Sequence, residues 1–200
     1  MTETNLISRP ELTLPPAEAE RVRAAYEAAD VILEYGSGGS TVLAAEMPGK
    51  TVFSVESDKD WAQMMRGWFS GNPAASGTSV DIIWSDIGET KAWGFPRTKS
   101  EYLRYAQYPM QVWELPEFTQ PDVVLVDGRF RTGCAMATAY RTQKPVTLLF
   151  DDYKKRTQYH RIEKYFGAPK LHGRMAEFDV HPRRLDVSDL QDVIEMMIRP

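Results

Sequence analysis

The 200-residue sequence has a single cysteine, Cys134, and three scattered histidines, His160, His172 and His181. A lone cysteine excludes an internal disulfide framework, and so few separated histidines offer no Cys/His zinc site. A reducing, cytoplasmic setting is the expectation. No stretch approaches the roughly 18 apolar residues of a membrane span, and the opening MTETNLISRPELTLPP lacks the basic-then-apolar profile of a secretion signal. Membrane association is therefore not expected. Positive charge is not in excess either: 24 basic residues against 28 acidic ones leave a formal charge of -4. That balance withholds the general attraction on which nucleic-acid binding depends. Internal repeats and low-complexity tracts are absent. What remains, 42% hydrophobic and 26% charged, is the balance of one globular domain with a substantial core.

The chain divides into an N-terminal extension and helix over 1–29 and a single α/β domain over 30–200. Prolines punctuate the first sixteen residues, Leu12 and Leu14 are placed to lie over the domain surface, and a helix follows from Pro16 to Ala29. Next come VILEYG, the turn SGGS and the helix-compatible TVLAAEM, which stops before Pro48 and Gly49. The same rhythm resumes with a strand at 51–56 and a helix at 58–69. Further strands are read at 80–84, 122–127 and 146–150, with helices at 133–143 and 154–166. The strands are apolar without strict alternation, as expected where both faces are buried. Residues 86–121 are the least regular region and hold Trp93, Phe95, Tyr102, Tyr105, Tyr108 and Trp113, which either pack an excursion or wall a substrate site. In the tail, GRMAEFDV alternates like a strand, and DLQDVIEMMI suits a last helix or a last strand. Repeated strand, turn and helix units imply a mostly parallel sheet with helices on both faces and ligands beyond the carboxyl ends of its strands.

Glu34-Tyr35-Gly36-Ser37-Gly38-Gly39-Ser40-Thr41 falls where the first strand turns into a helix. Gly36 and Gly38 permit close ligand approach, while Ser37, Ser40 and the adjacent amides offer polar contacts. Glu56 ends the next strand, twenty residues after Gly36, where a carboxylate can accept both hydrogens of a ribose diol. Together these cues favour an adenosine-containing cofactor. Thr41 stands where the third glycine of G-x-G-x-x-G belongs, which argues against a nicotinamide dinucleotide, and no GxxxxGK[ST] loop is present. LEYGSGGST followed by VFSVE resembles the cofactor core of the class I S-adenosylmethionine-dependent methyltransferases, with the likeness covering residues 30 to 170. The resemblance implies a Rossmann-like fold and S-adenosylmethionine as cofactor. It places Gly36, Ser37 and Gly38 beside the methionine portion and Glu56 on the ribose. Asp86 would accept from the adenine amine, Ile87 would pack beside the ring, and Asp127 would lie near the methionine amino group and the acceptor. Glu34 would orient either the glycine loop or that amino group.

Methyl transfer from a sulfonium needs the acceptor atom in line, and a hydroxyl acceptor also needs somewhere to lose its proton. Asp127, Asp151 and Asp152 follow neighbouring strands, and their placement resembles small cation-dependent O-methyltransferases, in which such acids hold a divalent cation. Asp152 stands where that family has an amide, and Arg129 and Arg131 occupy the region where a catalytic lysine is expected. Mg2+ is accordingly a candidate cofactor, and helix capping by Asp151 and Asp152 is the competing reading. Arg129 is placed to orient an anionic acceptor. Lys154, Arg156, Tyr159 and His160 form a further set on the following helix, and Cys134 reads as core. The expected activity is methyl transfer to a small molecule, on oxygen before nitrogen. Two alternatives are an adenosyl-ligand binding protein without turnover and a NAD-dependent oxidoreductase.

Overall fold

The computed structural model describes residues 8–200, so the first seven residues of the expected extension lie outside the described residues. Seven strands form one sheet: β1 (Val31–Tyr35), β2 (Thr51–Glu56), β3 (Ser79–Trp84), β6 (Val123–Val126), β7 (Val146–Phe150), β8 (Lys170–His172) and β9 (Met175–Val180). Their order is β3-β2-β1-β6-β7-β9-β8. The first five in that order run parallel, while β9 is antiparallel to both β7 and β8. β4 (Thr90–Lys91) and β5 (Phe95–Pro96) make a separate small hairpin within the excursion that follows β3. The order reverses between β1 and β6, which opens a crevice at their carboxyl ends.

The continuous apolar strands are explained by burial on both faces. On one face Leu33, Val55, Val126 and Phe150 join Phe130, Met136 and Met196; on the other, Ile32, Val52, Leu125 and Leu149 join Val22, Tyr26 and Leu43. The second group is covered by α1 (Pro16–Ala28), with proline in its first turn, and α2 (Gly39–Ala45). α3 (Lys59–Gly71) starts at Asp58, whose side chain accepts from the Trp61 amide at 3.0 Å, and buries Ala62, Met65 and Trp68 at helical spacing. α5 (Arg131–Arg141) is buried along most of its length against α7 (Leu190–Met197). A Cβ on Gly133 would sit 2.8 Å from the Met196 carbonyl oxygen, so glycine allows this approach of the two helices. The open alternative in the tail resolves as strand β9 and helix α7.

The irregular excursion keeps the packing role that the sequence left open, and one segment departs from the sequence reading. The excursion folds into 3-10 turns and the short α4 (Gln107–Met110), and it buries Tyr105, Tyr108, Val112 and Trp113 in the main core. The helix expected over 154–166 is a 3-10 segment, Thr157–Ile162, running into α6 (Glu163–Phe166). Its start is delayed because the Tyr153 and Lys154 amides both donate to the Arg174 carbonyl, and Asp152 has φ +58. Arg156 precedes the 3-10 turn, so neither Asp151 nor Asp152 caps a helix. Among the described residues no helix is long and apolar enough to cross a membrane.

Candidate functional site

A cavity of about 670 Å3 opens at the carboxyl ends of β1, β2 and β6. Its floor is the turn Gly36–Ser40. Gly36 has φ +105, and a Cβ there would lie 2.8 Å from the Gly128 nitrogen; only glycine suits both the dihedral and the contact. The turn is held from behind. The Thr41 hydroxyl accepts from the Gly38 amide at 2.9 Å and donates to Glu34 Oε2 at 2.5 Å, while Glu34 Oε1 accepts from Tyr26 Oη at 2.6 Å. Glu34 is wholly buried and does not line the cavity; of its two expected roles, the geometry matches orientation of the glycine loop. Burial raises its pKa, against the Thr41 and Tyr26 hydrogen bonds. Ser37 and Ser40 both line the cavity, and the Ser37 hydroxyl pairs with that of Ser54 at 2.7 Å.

Glu56 faces the same space from the end of β2. Its Oε1 accepts from the Ser57 and Asp58 amides at 2.7 and 2.8 Å, whereas Oε2 takes only the Ser37 amide at 3.3 Å. Burial raises its pKa, opposed by these backbone donors. Asp127 lines the cavity from the end of β6, with Oδ1 accepting from Arg131 Nη2 at 3.0 Å. Burial, countered by Arg131 and reinforced by Asp151 and Asp152, pushes the Asp127 carboxyl up to about 6. Arg129 follows, its guanidinium 4.0 Å above the Phe95 ring.

The other candidates lie elsewhere. Asp86 accepts from the Gly88 amide at 3.0 Å and pairs with Arg104, half-exposed and away from the cavity lining, and Ile87 is buried in the main core. Asp151 is fully buried and bound by Arg174 through two hydrogen bonds of 3.0 and 2.6 Å. Asp152 pairs with Arg156 at 2.6 Å and Arg174 at 3.2 Å. The expected cation site is thus replaced by a carboxylate–arginine network. Arg156 and Arg174 hold both oxygens of Asp151 and Asp152 and Arg131 holds Asp127 Oδ1, and among the described residues no three His, Cys, Asp or Glu side chains gather as metal ligands. Mg2+ does not fit these three acids as they stand. Cys134 is a buried core residue. His160 stacks on Tyr153 at 4.6 Å.

Further groups complete the lining, and Trp61, Met64 and Gly94 among them have no signature in the sequence. Pro10–Leu14 form a strap over the glycine turn, Trp61 and Met64 project from α3, and Trp93–Gly94 arrive from the β4–β5 hairpin. The Trp61 indole donates to the Ser37 carbonyl at 2.8 Å and the Ser57 hydroxyl to the Gly94 carbonyl at 3.0 Å. Tyr108 reaches the cavity from α4. The sequence points to part of this cover through the proline-bounded Leu12 and Leu14 and, in the excursion, through Trp93 and Tyr108.

No protein-family model and no curated protein sequence matches the chain. Among solved structures, a methyltransferase-like protein from Silicibacter pomeroyi is 56% identical, with 96% of this chain and 99% of that chain covered and a TM-score of 0.94. The O-methyltransferase from Bacillus cereus in complex with SAH is 13% identical over 83% of this chain and 82% of its own, at a TM-score of 0.55. Cofactor-bound Rv0187 from MTB is 13% identical over 88% and 85%, at 0.56. The last two likenesses concern the fold. The first, by its identity and coverage, places this chain in the methyltransferase-like family to which the Silicibacter pomeroyi protein belongs, on the class I S-adenosylmethionine-dependent methyltransferase fold.

Proposed function

We propose that the protein transfers a methyl group from S-adenosylmethionine to a small-molecule acceptor, with oxygen as the accepting atom. The observation that carries this reading is the charge and geometry of the cavity. Among the described residues, five acids, Glu11, Glu56, Asp58, Asp60 and Asp127, line it beside one basic residue, Arg129. A lining of that sign attracts a sulfonium bearing an ammonium group and repels the pyrophosphate of a dinucleotide. It therefore favours S-adenosylmethionine over NAD.

In this reading Gly36–Gly38 lie along the methionine portion, and Glu56 Oε2, which has one long protein contact, accepts from the ribose hydroxyls. A hydrogen bond to such a charged acceptor contributes about 1.5–3 kcal/mol. Asp127 keeps Oδ2 for the incoming ligands while Arg131 fixes Oδ1. That oxygen stabilises the ammonium group and can receive the proton of a hydroxyl acceptor. The cosubstrate supplies an activated methyl group; the protein supplies alignment, exclusion of water by the strap and a fixed field.

Calorimetric titration with S-adenosylmethionine, S-adenosylhomocysteine and NADH tests the cofactor assignment. Binding of the first two without a response to NADH is expected. Folded protein that binds neither adenosyl ligand would remove the reading. Binding of both without turnover across an acceptor screen would instead favour an adenosyl-ligand binding protein.

A further inference from the structure

Arg129 stands apart from the other arginines around the site. Arg131, Arg156 and Arg174 each meet a carboxylate. Among the described residues, the Arg129 guanidinium has no carboxylate partner, and its buried Nε has no hydrogen-bond partner at all. It rests on the Phe95 ring at 4.0 Å, and its amide faces the Tyr108 hydroxyl at 3.5 Å. Burial, then the proximity of Arg131 and Arg156, lowers its pKa, while Tyr108 and Tyr159 act the other way. Arginine keeps its proton under such pressure, so the site holds a half-buried cation with no carboxylate paired to it among the described residues. Buried polar groups in folded proteins are nearly always paired, and an unpaired guanidinium in a cavity wall has the donors and the charge to bind an anion.

Resting on the methyl-transfer reading above, we propose that Arg129 binds an anionic group of the methyl acceptor, so that the substrate is a small carboxylate- or phosphate-bearing molecule. Position separates this group from the cosubstrate. The turn after β1 and Glu56 after β2 flank one side of the crevice, whereas Arg129 follows β6 and neighbours Tyr159 and Arg156 from the segment after β7. The planar fork takes two oxygens of one carboxylate or phosphate, and Phe95 fixes its plane. Among the described lining residues Arg129 is the one cationic side chain, set against an otherwise acidic wall, and it would orient an anionic acceptor.

The test observes Arg129 directly. In full-length protein labelled with 15N-arginine, the Nε–H resonance missing from Arg129→Gln is assigned to Arg129, and S-adenosylhomocysteine is added, followed by acetate, benzoate, inorganic phosphate or neutral benzamide. A saturable shift with an anion on the S-adenosylhomocysteine-loaded protein, and none with benzamide, is expected. Arg129→Lys, which keeps the charge and loses the fork, should bind the anion about tenfold more weakly while holding S-adenosylhomocysteine as before. If S-adenosylhomocysteine alone moves the resonance and anions add nothing, the arginine serves the cosubstrate's own carboxylate and the proposal falls. It falls equally if no anion moves the resonance. An anion response in a protein that binds no S-adenosylhomocysteine would sustain the anion site and overturn the methyl-transfer reading instead.

Discussion

Gly36 and Gly128 meet backbone to backbone: a Cβ on Gly36 would lie 2.8 Å from the Gly128 nitrogen, and one on Gly128 would lie 2.9 Å from the Gly36 nitrogen and 2.1 Å from Tyr108 Oη. The contact arises because β1 and β6 are parallel neighbours and the Tyr35 carbonyl accepts from both the Asp127 and Gly128 amides, at 2.9 and 2.5 Å. The floor of the cavity is therefore two glycine turns pressed together.

Gly36→Ala and Gly128→Ala should each cost about 1–3 kcal/mol, the first through its positive φ as well as the clash. For a chain of this size that is a fall in Tm of roughly 2–4 °C per kcal/mol. Both should also lose S-adenosylhomocysteine binding. Gly38→Ala is the contrast: its φ is 174° and nothing stands within 4 Å of a Cβ there, so its melting temperature should stay near the parent's. A thermal melt of the three variants decides this, and equal destabilisation would refute the account of the turn.

What could be read from the chain alone follows from which contacts are local. The strands were legible because VILEY, TVFSVE and VVLV are buried on both faces, and the glycine turn because its residues are consecutive. The position of Glu56 at the cavity was legible because a strand end following the next crossover has a fixed place in this topology. The cation site failed for the opposite reason. Arg174, 23 residues beyond Asp151, occupies that carboxylate only because β9 turns back against β7. The same return consumes the amides of Tyr153 and Lys154 and breaks the expected helix. Asp86 drew attention by following β3, yet its position cannot announce that Arg104 from the excursion pairs with it.

Asp151→Ala should destabilise the fold by about 2–3 kcal/mol. Loss of one member of a buried ion pair costs ~3–5 kcal/mol, reduced here because the half-exposed Arg174 regains water. Because arginines hold both oxygens of Asp151 and Asp152 and one oxygen of Asp127, EDTA should leave both Tm and methyl transfer unchanged, and added Mg2+ should do no more. A stability curve paired with an EDTA titration checks both halves; loss of activity on chelation would restore a cation to this cluster.

Ligand binding should depend on pH through Asp127. Its carboxyl is pushed from 3.8 up to about 6, mainly by burial. Because the folded value is raised, this group favours folding below about pH 4 and withdraws that contribution as pH rises to about 6. Under the proposed function binding runs the other way, since the ionised form would pair with the ligand's ammonium group. S-adenosylhomocysteine affinity should therefore rise across about pH 5–7 in the parent, centred near that carboxyl's value. Asp127→Asn should bind more weakly at neutral pH and flatten the profile. A parent and variant with parallel pH profiles would remove Asp127 from cofactor binding.

The strap over the cavity depends on Gly39. A Cβ there would lie 2.2 Å from the carbonyl carbon and oxygen of Glu11, too close for any relaxation short of moving the strap. Gly39 opens α2, where alanine by intrinsic propensity stabilises a helix by up to ~1 kcal/mol. Gly39→Ala therefore sets a local gain against displacement of residues 10–14. The expected outcome is a fold of nearly unchanged stability with faster cleavage by a glutamate-specific protease after Glu11, and S-adenosylhomocysteine dissociation about tenfold faster, since cover removed from a bound ligand acts mainly on its escape. Unchanged proteolysis and dissociation would mean that the strap packs on the domain without closing its site.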